Sequence, residues 1–475
     1  MALMCLNRLP PQHLKLGWVK MLSHSLYRLT RTMKPTLFIL CMATPCWAYA
    51  QTYIASPDTF TKLIPQLRAG DLLQLSVGNY TKPLIIDGLQ GTEEQPIVIA
   101  GTGDGTVFIG DSCCQTVSLR RSAYVTVKDL RLDGTNAAGI DGIKAEGNTP
   151  ANPNWTHHIT LDNLSIVNYA HNQQQVGISS KCPSSHWLIK NTRIDNVGTG
   201  MYLGDSEGTQ PFVNGLIQNN VIQNTLGYNL EIKHQINGQR ELASAVQAQA
   251  DQAGKTIIRH NVFSKGKNSS LGENARPNVM LGGFPTEGVG KNDYYEVIGN
   301  FFYNNPVEAL FQGAGNINML NNIFVNHARP EAFRTVYFAP RNGIAPQQLK
   351  IFHNTVWSNA TGGGIRVYDP DVKYMQTVVA NVVFADDANV AITANKASTH
   401  IEENVVDHYA KAANYVQSAS RELKTLNLRP KAGQLQAKQP TAQTPFRSVT
   451  DADKDFSNTV YDWAYRGAYG QDTPP

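Results

Sequence analysis

The stretch Leu320–Asn326, LNNIFVN, decides the fold because it does not stand alone. Set so that an Asn precedes an apolar pair, the chain falls into register as LDNLSIVN (161–168), IKNTRIDN (189–196), IQNNVIQN (217–224), RHNVFSKG (259–266), GNFFYNN (299–305), LNNIFVN, FHNTVWSN (352–359), ANVVFADD (380–387) and ENVVDHY (403–409). The leading asparagines are Asn163, Asn191, Asn219, Asn261, Asn300, Asn322, Asn354, Asn381 and Asn404. Several of their spacings lie between 22 and 28 residues. A fixed period of that length marks a solenoid whose units bury their apolar faces only against one another.

Each unit consists of short β-branched and aromatic runs parted by Gly, Asn and Asp, without the periodicity of crossover helices. The reading is an all-β parallel β-helix. An Asn recurring at one place in successive coils belongs in a turn, its amide bonded to the backbone and to its equivalents above and below, since buried polar groups must be satisfied.

Outward from the repeats, the ends differ in character. Residues 56–71, SPDTFTKLIPQLRAGD, place Phe60, Leu63, Ile64 and Leu67 on one stripe with Gly70 at the stop, which predicts a capping helix. Residues 1–50 carry six basic residues and no acidic one, and end in TLFILCMATPCWAYA. That is the pattern of a cleavable signal peptide with a small-x-small site at Ala48–Ala50, and Met33 is an alternative start. Export to the periplasm or medium is the expectation, with no integral membrane segment. The β-helix is expected over 51–410 with a helical insertion at 240–255, and a C-terminal strap and cap over 411–475.

The chain of 475 residues has a formal charge of +4, but without the leader 35 basic residues face 37 acidic ones. The excess positive charge therefore belongs to the leader, and nucleic acid is not an expected partner. A monomer is expected. Of the six cysteines only Cys113, Cys114 and Cys182 lie beyond the leader. One bridge from Cys182 to Cys113 or Cys114, or a buried thiol, are the two readings.

Aligning the third strand of each coil (MYLGD, NLEIKHQ, PNVMLGG, ALFQG, TVYFAP, GIRVYD) assigns the apolar alternates to the core and the others to an outward row. That row contains Tyr202, Asn229, Glu231, Lys233, Asn278, Met280, Gln312, Tyr337, Arg366 and Tyr368, with Arg341 just beyond. Tyr rings, amides and cations in line suit a long acidic polysaccharide; the alternative is a solvated sheet face. Lys233, His234, Tyr337 and Arg366 are the candidate catalytic residues. Tyr202, Asn278, Gln312, Arg341 and Tyr368 are the candidate substrate contacts. A plain Glu231–Lys233 ion pair is the alternative for that stretch. Asp369 and Asp371 flank a proline turn, and Asp451, Asp453 and Asp455 read as a tail turn.

The segments IPQLRAGDLLQLSVGNYTKPLIIDG (64–88), NTLGYNLEIKHQ (224–235) and RPNVMLGG (276–283) resemble the right-handed parallel β-helix, pectate-lyase-like superfamily. Within it the chain is distantly similar to polysaccharide lyase family 6, the alginate lyases and chondroitinase B, over most of residues 52–410. The resemblance implies a single-stranded right-handed solenoid and β-elimination from a uronic-acid-containing glycan. It casts Lys233 as the base and Asn229 and Glu231 as ligands of a calcium ion. The family's Glu-x-Glu is Asn229-x-Glu231 here, and Gly282 stands near where an Arg is expected. The same scaffold also hosts glycoside hydrolases, uronan epimerases and non-catalytic glycan-binding proteins.

Overall fold

The computed structural model describes residues 50–110, 113–240, 253–369 and 372–473. Residues 1–49, where a signal peptide is expected, and the interior of the 240–255 insertion lie outside the described residues, as does Asp371.

The chain winds as a right-handed parallel β-helix with two long parallel sheets, one of 25 and one of eleven strands among the described residues. The smaller sheet carries the outward row. In chain order its strands are β1 (Leu84–Asp87), β2 (Cys114–Arg120), β3 (Ile140–Ala145), β4 (Val176–Ser180), β5 (Thr199–Leu203), β6 (Leu230–Ile232), β7 (Val279–Leu281), β8 (Phe311–Gly313), β9 (Val336–Phe338), β10 (Ile365–Val367) and β11 (Ile392–Ala394). Each pairs in parallel with the strand of the next coil, as Leu230 does with Met201 on one side and Val279 on the other.

The period of two assigns the faces. Leu230 and Ile232, Val279 and Leu281, and Val336 and Phe338 all point inward and are at most 2% exposed. Inside, rings stack from coil to coil, as Phe302 does on Phe324 with centroids 4.4 Å apart. Each such side chain contributes roughly 1.5–3 kcal/mol by leaving water.

The asparagine ladder is continuous, with one shift. It runs Asn220, Asn261, Asn300, Asn322, Asn354, Asn381, Asn404, each Nδ2 donating to the next Oδ1 at 2.9–3.0 Å. A second amide proton goes to a backbone carbonyl, as from Asn300 to Ile258 at 2.8 Å. Asn163, Asn191 and Asn219 stand one residue earlier, at positive φ, where later coils carry His260, Gly299 and His353. In those early coils the ladder position is held by Leu164, Thr192 and Asn220, so the repeat of Asn alone misplaces them by one residue.

The expected capping helix is a single turn, Phe60–Leu63, continued as a 3-10 turn, Ile64–Gln66. Pro65 ends the α-helical run because it cannot donate a backbone hydrogen bond. Phe60, fully buried, packs edge-on against Tyr80 and Phe108. Cys182 makes no bridge: Cys113 and Cys114 are bonded to each other. Burial pushes the Cys182 thiol up to about 12, beside the Thr156 and Ser184 hydroxyls. Beyond the last coil, Phe446 and Trp463 pack on Phe352, and the Tyr461 hydroxyl bonds His353 Nδ1 at 2.6 Å. No helix of the described residues is long and apolar enough to cross a membrane.

Candidate functional site

Register alone lines up the outward row. Lys144 of β3 sits beside Ser179 of β4, then Tyr202, Glu231, Met280, Gln312, Tyr337 and Arg366 on β5 through β10. Asn229 and Asn278 do not belong to it. Each precedes the first residue of its short strand, is fully buried, and turns its amide into the coil corner. Asn229 donates to Thr225 Oγ1 and Ser264 O, and Asn278 to Phe263 O and Asn304 O.

One residue past the strand ends, Lys181, Gly204 and Lys233 follow Ser180, Leu203 and Ile232, which pair with one another. Gly204 adopts φ +92, and a Cβ there would come within 3.1 Å of Lys233 Cβ. The gap leaves both lysines room over the Tyr202 ring, with Lys181 Nζ at 3.3 Å and Lys233 Nζ at 5.3 Å from its centroid. Together with Lys144, Tyr228, Glu231 and Arg276 they line a groove of about 360 Å3.

The two lysines differ in charge state. Burial pulls Lys233 down, but the Glu231 carboxylate, 2.9 Å away, outweighs it and holds the ammonium above the ordinary lysine range. Lys181 has no carboxylate at salt-bridge distance among the described residues. Burial, then the Lys144 ammonium, lower it to about 8, with Glu231 and Asp141 opposing. Tyr202 is raised by burial and donates or accepts at Ser206 Oγ over 2.7 Å, so its phenol keeps its proton through neutral pH. Burial, then the Glu231 charge, also raise Tyr228. Arg276 lies 5.8 Å from the Tyr228 centroid, its Nη1 bonded to the Glu273 and Ala275 carbonyls.

Several expected site residues lie apart from this groove. His234 is 9% exposed beyond the end of β6, packed against Gly208 and lowered by burial, so it faces away from the row. Tyr337 and Arg366 share the row but stand three and four strands from Glu231. At the usual strand spacing that is roughly 14 and 19 Å, too far for either to meet a group held at Lys233. Tyr368 is 46% exposed beneath Arg366. Gln312 is tied between Glu308 Oε1, at 2.6 Å, and Arg341. Burial raises Glu308 to about 7. Gly282 sits where no side chain fits, since a Cβ would meet His234 N at 2.2 Å.

The donor set for calcium is not assembled. The Asn229 amide is turned into the coil, the Glu231 carboxylate is taken by Lys233, and the neighbouring charges are the cations Lys144, Lys181 and Arg276 with one further carboxylate, Asp141, which is paired to Lys144. Among the described residues, no group of three His, Cys, Asp or Glu is placed to hold a metal ion.

Lys144, Lys181, Tyr228 and Arg276 were not singled out from the sequence. The strand alignment started at MYLGD; carried two coils earlier, through IDGIKA and VGISSK, it brings Lys144 and Lys181 into line.

Residues 54–199 match the Chondroitinase B family model. That span contains Lys144 and Lys181 and ends before Tyr202, Glu231, Lys233 and Arg276. Among solved structures, an alginate lyase from Paenibacillus sp. is 15% identical, with 75% of this chain and 99% of that one covered and a TM-score of 0.40. A GH136 lacto-N-biosidase from Eubacterium ramulus is 11% identical, with 75% and 68% covered and a TM-score of 0.46. The A-module of a mannuronan C-5 epimerase from Azotobacter vinelandii is 13% identical, with 71% and 86% covered and a TM-score of 0.41. A search of curated proteins finds no match.

Proposed function

We propose that the protein is an exported polysaccharide lyase that cleaves a uronic-acid-containing glycan by β-elimination in the groove over Tyr202. The observation that carries the reading is the pair of lysines on one phenol ring, one lowered to about 8 and one held charged. The match of residues 54–199 to the Chondroitinase B family supports the same class.

Elimination needs a positive charge on the substrate carboxylate, a base for the proton α to it, and an acid for the leaving oxygen. Arg276, with its planar fork, and charged Lys233 neutralise the carboxylate. Lys181, neutral in an appreciable fraction near pH 8, takes the α proton. The electron pair left behind forms the C4–C5 double bond, the C4–O bond breaks, and the Tyr202 phenol protonates the departing oxygen. Glu231 sets the division of labour by keeping Lys233 protonated. Because this chain's cations supply the positive charge, no step depends on calcium. Asp141 and Glu231, the carboxylates of the groove, are each paired to a lysine at 3.0 and 2.9 Å, which disfavours a hydrolase built on two free carboxyl groups.

The test is digestion of alginate, pectate, glycosaminoglycans and bacterial exopolysaccharides by the purified chain, with and without chelator. Products absorbing near 230 nm are expected with one of them, undiminished by chelator. Reducing ends without absorbance would identify a hydrolase, and binding without either a non-catalytic protein.

A further inference from the structure

A second cavity lies on the larger sheet, around the coil from the groove, where strands Tyr294–Ile298, Gly315–Leu320 and Pro346–Phe352 run side by side. Its volume is about 460 Å3, inside the range of roughly 300–1,000 Å3 usual for ligand sites. Its wall is made of amides, two tyrosines, two lysines and two hydroxyls, with no carboxylate among the lining residues.

Part of this wall is scaffold. Asn316 donates to Asp293 O and accepts from Gln348 N, and Lys350 Nζ reaches Pro445 O at 2.8 Å. The rest is uncommitted. Among the described residues, the side chains of Lys291, Asn318, Gln347 and Tyr374 make no hydrogen bond to the protein. Gln347 is the informative one, because it is only 4% exposed and lines the cavity. Its carboxamide atoms are not sealed from solvent, so they open on the cavity, where water or a ligand completes their bonding. The acids beside this wall are already committed: Glu296, in register with Asn318, to Lys255 at 3.6 Å and to the Thr450 amide, and Asp293 to Arg240 and the Gly254 amide.

We propose that this cavity is a second carbohydrate-binding site for an acidic glycan, separate from the groove. Carboxamides match the paired hydroxyls of a sugar ring, the half-exposed Tyr294 and Tyr374 rings offer apolar faces, and Lys291 meets a carboxylate or sulfate. It would hold a polymer on the enzyme between turnovers, and the inference stands whether or not the groove performs elimination.

The experiment is retardation in native gels cast with polygalacturonate, alginate or chondroitin sulfate, using the full chain with Lys181→Ala and Lys233→Ala to weaken the groove. Retardation is expected to persist in at least one gel. Adding Lys291→Ala and Tyr374→Ala, at positions that contribute little to the core, should then weaken apparent binding about tenfold. Equal retardation with and without the second pair, at matched unfolding temperature, overturns the site, as does no retardation in any gel. Loss of 230 nm products in wild type would bear on the groove alone.

Discussion

The asparagine ladder and the outward row occupy successive coils of one solenoid, and they treat repetition in opposite ways. From Asn220 to Asn404 one side chain recurs, and its amide is bonded on both sides. From Lys144 to Arg366 the residue changes from coil to coil, and just beyond the row Lys181 has no carboxylate at salt-bridge distance among the described residues. A buried turn admits one solution to its hydrogen bonding, so every coil adopts it. The outward row, half of it buried at Ser179, Glu231, Met280 and Gln312, is under no such single constraint, so its residues are free to differ from coil to coil.

The sharpest way to break the comparison is to remove a row residue and find no loss. Tyr202→Phe keeps the ring under both lysines and deletes only the acid. Turnover should fall by about 10²- to 10⁴-fold with an unchanged unfolding temperature. A rate within tenfold of wild type would take Tyr202 out of the proton transfer.

In the ladder the effect should be the reverse. Asn300→Ala removes the acceptor of Asn261 N–H and Nδ2 and one of the two donors to Asn322 Oδ1, at a cost of about 2–4 kcal/mol in chemical denaturation. The catalytic rate of the surviving folded fraction should not change.

The pH dependence separates the lysines. If Lys181 is the base, kcat/KM rises with pH through about 8. The stability sign follows from the same group, whose folded value of about 8 lies below the 10.5 of the free side chain. Between those values the unfolded chain binds the extra proton, so the Lys181 contribution to stability increases as pH rises through that window. In Lys181→Met the increase should be absent, as read by denaturation midpoints at pH 8 and 10.

The smallest effect is expected farthest along the row. Arg366→Ala should leave kcat within about twofold and raise KM for polymer only severalfold, because it stands roughly four strand spacings from Glu231. A large loss of kcat would move the reaction centre toward β10.

The period of two made much of this legible in advance. Leu230 and Ile232 had to face the core, and Glu231 the row, as they do. What failed was local. Asn229 sits at the expected parity, but regular pairing begins only at Leu230, so the alternation does not govern it. Asn219 and Asn220 are adjacent and identical, and only the bond to Asn261 tells which one is in the ladder. Lys181 follows a strand, VGISS, whose buried serines hide the apolar alternation. That Tyr337 and Arg366 are distant from Lys233 is a matter of coil number, which a shared face does not convey.

The central claim, that Lys181 is the base, is tested most directly by initial 230 nm rates of Lys181→Ala with and without added small primary amines. The account predicts a rate reduced by at least about hundredfold that added amine partly restores, more so for amines with more free base at the assay pH. A Lys181→Ala protein that turns over at the wild-type rate without amine would contradict it.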